Sequence, residues 1–147
     1  MAGQKHTQFK GGAGFSNIVD NDSNPISTAK LPYIRTFWVD LPLVASSSAQ
    51  AIAYANIPDW PATYARVISA GVDVITAEAT GTTKNVSFGY AGATTAFVNA
   101  QSAAAIGVIP GAGATANLAT TALSYTLSAN DWAEAVMKAW ITVECIG

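Results

Sequence analysis

The chain closes on VMKAWITVECIG (residues 136–147), and the reading of this stretch decides the fold class. Ala in the overlapping WAEAVMKAW (132–140) lends helix propensity. Met137, Ala139, Ile141, Val143 and Cys145, however, recur at every second position, with Lys138, Thr142 and Glu144 between them beside Trp140. A period of two puts the first set on a core face and the second outside, the pattern of a half-buried strand. Trp140, Ile141 and Val143 are also residue types that suit a pleated surface.

The same period runs through the chain from Leu31 onward. TYARVISAGVDVITA (63–77) is the longest strand candidate. It sets Tyr64, Arg66, Ile68, Ala70, Val72, Val74 and Thr76 on one face and Val67, Ser69, Gly71, Asp73 and Ile75 on the other, with Gly71 read as a bulge or bend. PYIRTFWVDLPL (32–43) alternates Phe37, Val39 and Leu41 with Trp38 and Asp40 between Pro32 and Pro42. AQAIAYANIPDWP (49–61) places Ile52 and Tyr54 on one face before a turn, and LSYTLSANDW (123–132) alternates Leu123, Tyr125 and Leu127 with Ser124, Thr126 and Ser128. In AEATGTTKNVSFGYAGATTAFVNAQS (77–102), ATGTTK is a connection and Val86, Phe88 and Tyr90 form a new strand, so the segment reads as a hairpin with a polar loop at 91–102. Phe97-Val98 and AAAIGVIP (103–110) give a further short strand or a helical turn, and GAGATAN (111–117) reads as a flexible loop. Seven or eight short strands separated by Gly, Pro, Asn and Ser, with no convincing amphipathic helix, predict an all-β chain: an antiparallel β-sandwich or jelly roll.

Residues 1–30 differ from this body at 31–147. They hold GGAG, the polar run DNDSNP and few apolar residues beyond Phe9, Phe15, Ile18, Val19 and Ile26. They read as an extended N-terminal arm, with Phe9, Phe15, Ile18 and Val19 as anchors that a purely solvating tail lacks. Fully extended, such an arm spans about 100 Å, against a radius of gyration of about 13 Å for the body, and so reaches a neighbouring molecule. Charged residues make up 11 per cent of the chain, against roughly 25 per cent in an average domain. The net charge is −2. A neutral surface with little repulsion between copies favours a protein that works within an assembly.

Little in the sequence can perform chemistry. DNDSN aligns Asp20, Asp22 and Asn24 as in a calcium loop, but Pro25 stands where the turn needs Gly and Leu31 where the bidentate Glu is required. One histidine, His6, and one cysteine, Cys145, supply neither a zinc set nor a rigid nucleophile–base pair. GGAG and GAGATA lack the phosphate-loop pattern. The spacing of Asp40, Asp59, Asp73, Glu78, Asp131, Glu134 and Glu144 selects no catalytic pair. The body is acidic and its basic residues are scattered, which disfavours nucleic acid. Neither a secretory signal nor an apolar run long enough to span a membrane is present. The expectation is a non-enzymatic protein without cofactor or metal. A carbohydrate-binding jelly roll is the alternative from another class, with Trp38, Trp60, Trp132 or Trp140 as stacking platforms set against simple packing roles.

RVISAGVDVITAEATGTTKNVSFGYAGATTAFVNAQSAAAIGV, TALSYTLSANDW and VMKAWITVECIG together resemble small structural proteins of tailed-bacteriophage virions, among them jelly-roll decoration (cement) and fibre-type proteins. The likeness covers about residues 63–147 and is one of pattern. It implies a virion component on the capsid surface, assembled in the host cytoplasm, that binds the major capsid protein and self-associates, often as a homotrimer. A tail, neck or fibre-base protein is the alternative within the same class. No functional residues transfer, because the group has no catalytic motif to map.

Overall fold

Strands with one apolar face must bury it, and this chain does so by closing two sheets on a single core. The computed structural model describes residues 8–9, 18–19, 32–79, 84–129 and 131–146. Strands β1 (Gln8–Phe9) and β2 (Ile18–Val19) pair with each other in an antiparallel ladder of their own. The body contains β3 (Pro32–Asp40), β4 (Gln50–Ile52), β5 (Tyr64–Thr76), β6 (Asn85–Tyr90), β7 (Ala93–Ser102), β8 (Gly107–Pro110), β9 (Leu123–Leu127) and β10 (Val136–Ile146). The described residues include a 3-10 turn at Tyr54–Asn56 and no α-helix.

The body forms two four-stranded antiparallel sheets, β3-β10-β5-β8 and β4-β9-β6-β7. Counted from β3, the first strand pairs with the eighth and the third with the sixth in one sheet; the second pairs with the seventh and the fourth with the fifth in the other. That is the winding of a jelly roll, a long hairpin tipped at β6–β7 and rolled so that successive pairs fall in opposite sheets. The expected all-β sandwich is the observed fold.

The core lies between the inner faces. Phe37, Val39, Val72, Val74, Ile141 and Val143 from one sheet meet Val86, Phe88, Phe97, Val98, Leu123 and Leu127 from the other. Phe88 and Phe97 pack with ring centroids 5.3 Å apart, and Phe37 sits 4.9 Å from Trp60. Met137, Ala139, Ile141, Val143 and Cys145 all face inward as the period of two predicts.

The long strand departs from its predicted faces. Thr142 opposes Ser69 while Val143 opposes Val67, so Ile68 is an extra residue and the bulge lies at Ile68–Ser69 rather than at Gly71. Beyond it the sides exchange: Ala65 and Val67 are buried with Ala70, Val72 and Val74, whereas Arg66 and Ile68 face out. Gly71 has a different role. A Cβ there would come within 2.6 Å of both the Trp140 ring and the Ile109 carbonyl oxygen, so its bare backbone gives the Trp140 indole room to lie across the sheet.

Three other expectations are corrected. Strands β5 and β6 lie in different sheets and form no hairpin; the hairpin in that stretch is β6–β7, turned at Ala91–Gly92 with Gly92 at φ 92°. Most of residues 91–102 is strand β7, not a polar loop. GAGATAN is not free either: Gly111 and Ala114 donate backbone hydrogen bonds to Ala70 and Val67, and Leu118 donates to Ala65, so the segment runs along β5 beyond β8. Gly111 and Gly113 permit this approach, because a Cβ at either would meet a β5 carbonyl oxygen at under 3 Å.

Phe88→Ala should lower the unfolding free energy by about 3–5 kcal/mol in denaturant titration. Ile34→Ala, on the exposed outer face, should change it by no more than about 0.5 kcal/mol.

Candidate interaction surface and its neighbouring polar clasp

The outer face of the β3-β10-β5-β8 sheet is built in rows fixed by the strand register. Asp40, Lys138, Asp73 and Val108 form one row, and Trp38, Trp140, Gly71 and Pro110 the next. Ile34, Glu144 and Arg66 form another beyond the Thr36–Thr142 pair, whose hydroxyls hydrogen-bond at 2.9 Å. Ion pairs between Lys138 and Asp40 (3.1 Å) and between Arg66 and Glu144 (2.7 Å) offset four of the charges in these rows and leave Asp73 as the remaining carboxylate. Such exposed pairs contribute about 0–1 kcal/mol each, and their main effect here is to leave the face electrically quiet.

Beside Asp73 and the threonine pair stand exposed apolar side chains. Trp38 is 56% exposed and Ile34 68% exposed on this face, with Ile68 and Val108 also exposed. Ile75 and Ile106 flank the Val74–Gly107 pair at one end of the sheet and are exposed in turn. Single exposed apolar side chains are ordinary, but a set on one sheet face makes that face the candidate interaction surface. The chain enters the body at Pro32, on the edge strand of this same sheet.

Of the residues predicted to contact partners, Phe9, Ile18 and Val19 belong to a ladder separate from this sheet. Phe9 pairs with Ile18, and Val19 pairs with Gln8, in the β1–β2 ladder. Phe15 lies outside the described residues. Of the four tryptophans, Trp60 packs on Phe37 and donates to the Leu118 carbonyl at 3.3 Å, and Trp132 is buried. Only Trp38 and Trp140 stand together on the outer face. The sequence marked Trp38 as an outward position of an alternating strand, but not that another tryptophan, Trp140, would stand beside it.

A second cluster sits where the connection from β5 to β6 meets the approach to β10. Glu78 is 2% exposed, and its Oε2 accepts the backbone N–H groups of Ala133, Glu134 and Ala135 at 3.0–3.1 Å. The Lys84 side chain is 3% exposed and its ammonium pairs with the Asp131 carboxylate, which faces solvent. That hydrogen bond holds the Asp131 carboxyl below the usual carboxylate range. The Trp132 ring centroid lies 5.9 Å from the Lys84 nitrogen, and the Trp132 indole N–H finds no acceptor among the described residues.

No family model matches the chain, and no curated protein matches it. A solved chain described as the cyanophage Pam1 capsid asymmetric unit shares the fold. The two superpose with a TM-score of 0.56 over 83% of this chain and 90% of that one, at 15% identity. A likeness over 83% of the chain is wider than residues 63–147, to which the sequence resemblance was confined.

The described residues include no cluster of three or more His, Cys, Asp and Glu side chains placed to hold a metal ion. Asp59 pairs with Arg35, as Asp40, Asp131 and Glu144 pair with their own cations. Cys145 is fully buried, and burial pushes its thiol up from the ordinary value.

Removing the Glu78 carboxylate takes the acceptor from three N–H groups, that of buried Ala135 among them, so Glu78→Ala should cost about 1–3 kcal/mol in an unfolding titration. Cys145 should resist a maleimide reagent in the native protein and react fully in denaturant, followed by mass, because only opening of the core exposes it.

Proposed function

We propose that this protein is a non-enzymatic structural component of a phage virion, a decoration (cement) protein that binds the major capsid shell from outside and stabilises it. The observation that carries the reading is the jelly-roll body, whose fold is shared, over 83% of this chain, with a chain of the cyanophage Pam1 capsid asymmetric unit. Two features of the molecule support it: an outer sheet face of low net charge with exposed apolar side chains, and four cations each paired with a carboxylate rather than aimed into a site.

In this reading the body self-associates, as a homotrimer, and the outer face carrying Ile34, Trp38 and Val108 covers a neighbouring surface. Residues 1–30, with Phe9, Phe15, Ile18 and Val19 as anchors, grip adjacent capsid subunits. Many copies then add weak contacts through multivalency. The charge scarcity that makes such a surface poorly soluble alone becomes useful once it is covered.

Deleting residues 2–25 should leave the body folded and lower its occupancy on parent particles at least about tenfold, as expected when one of two linked contacts is lost. Unchanged occupancy removes the arm from the mechanism. Trp38→Asp should weaken particle binding and self-association together, read by particle sedimentation and analytical ultracentrifugation. Trp38 beside Trp140 also has the form of a sugar-stacking platform. Specific binding on a glycan array, abolished by Trp38→Ala, would move the assignment to a carbohydrate-binding module.

A further inference from the structure

Asp73 is a carboxylate on the outer sheet face that makes no ion pair among the described residues. It is half-buried on β5, an inner strand, with Lys138 opposite it on β10 and Val108 opposite it on β8. Lys138 stands between two carboxylates in that row and takes Asp40 at 3.1 Å, so the row keeps one negative charge. Two residues back along β5, the outward position belongs to Gly71, and the Trp140 indole fills it. A Cβ at Gly71 would lie 2.6 Å from ring atom Cζ2 and 2.7 Å from Cε2. Gly71 is accordingly buried although it faces outward. The six-membered half of the indole thus occupies the surface position next to Asp73, and Trp38 stands opposite Trp140 on β3.

A surface that covers this face covers Asp73 as well. A carboxylate taken out of water without a counter-charge is strongly destabilising, so a partner seated here must bring a cation to that position. Another copy of the sandwich has none to offer. Arg35, Arg66, Lys84 and Lys138 are the basic residues of 31–147, and each is already paired with a carboxylate. We propose that Asp73 and Trp140 form a recognition site for an arginine side chain on the partner protein that this face covers. The inference rests on the virion-component reading above and names the chemistry that the capsid side must present.

Arginine suits the site better than lysine. Its planar guanidinium stacks on an aromatic ring while its N–H fork reaches a carboxylate, and it sheds water more readily than an ammonium. Exposed to solvent, such a pair contributes little. Covered by Trp38, Val108 and the partner's own apolar surface, it lies in a lower dielectric, where the attraction strengthens. The apolar side chains then supply contact area, and Asp73 fixes which partner surface fits and in what register.

The test uses the full-length chain and two probes, N-acetylarginine amide and its neutral isostere N-acetylcitrulline amide, followed through the Trp38 and Trp140 indole resonances by NMR. The arginine probe should shift the Trp140 resonance saturably, the citrulline probe should not, and Asp73→Asn, which removes the charge and keeps the side-chain shape, should abolish the response. No saturable shift, or an equal shift with both probes, overturns the proposal. On parent particles, Asp73→Asn should weaken binding about tenfold or more, with self-association in the ultracentrifuge unchanged. A change in self-association assigns Asp73 to a contact between copies and overturns the proposal. So does Asp73→Asn binding particles like the wild type while Trp38→Asp does not, a result that leaves the covering role of the face standing. Wild-type protein that binds no parent particle removes the virion reading instead, and the arginine titration then decides the site alone.

Discussion

Strand β10 is hydrogen-bonded on both sides, to β3 and to β5, and both faces of its sheet are organised by what it presents. Inward, Met137, Ala139, Ile141, Val143 and Cys145 are at most 2% exposed, an unbroken apolar ridge along the middle of the core. Outward, Trp140 needs the bare backbone of Gly71 beneath its ring. The same strand thus demands apolar partners on one side and a glycine on the other. A slip of one residue would drive Trp140 into the core and Ile141 into solvent, and every pairing on either side would fail with it.

That strictness explains why the bulge in β5 is tolerated. Ile68 is one residue too many for the ladder, and it falls where β8 has ended and the 111–118 segment takes over the outer edge. Inserting it there lets Ala65 and Val67 turn inward beside Val143 and Cys145 while Ala70, Val72 and Val74 keep their own alignment. Asn117 secures the junction: its side-chain oxygen accepts the N–H groups of Ala65 and Ala119, and its amide donates to the Thr63 carbonyl. Glycines 111 and 113 are consequently residues of close approach, not of slack.

The architecture was legible wherever alternation ran uninterrupted, as in β3, β9 and β10, because period two carries both the element and its buried side. It was lost in three places for separate physical reasons. In β5 the strict period assumed a regular ladder, and a bulge reverses the faces without any residue that must mark it. In β6–β7, Ser87 is buried because its hydroxyl accepts the N–H of Ala100, which sits at φ 44°, so a polar residue there marks an irregular pairing rather than an outer face. In GAGATAN, glycine signals both a free turn and a backbone pressed against another, and composition cannot separate the two. The Glu78–Lys84–Asp131 cluster was invisible for a similar reason. Its charged residues are dispersed through the sequence, and only the jelly-roll winding brings the two connections together.

The edges determine how such a molecule can associate. Open sheets recruit other strands through unpaired backbone, and here the edge strands are β3 and β8 in one sheet and β4 and β7 in the other. Strands β4 and β8 are only three and four residues long, which leaves little template. β3 begins at a proline and carries Arg35 tied to Asp59. β7 is broken in its pairing register and twisted at Ala100. Edge-to-edge addition is thereby discouraged at all four positions, while the broad face with Trp38, Ile34 and Val108 carries no comparable protection. A chain so low in charge would precipitate through its edges if they were open. Low charge together with guarded edges favours contact through the sheet face over strand addition at its margins.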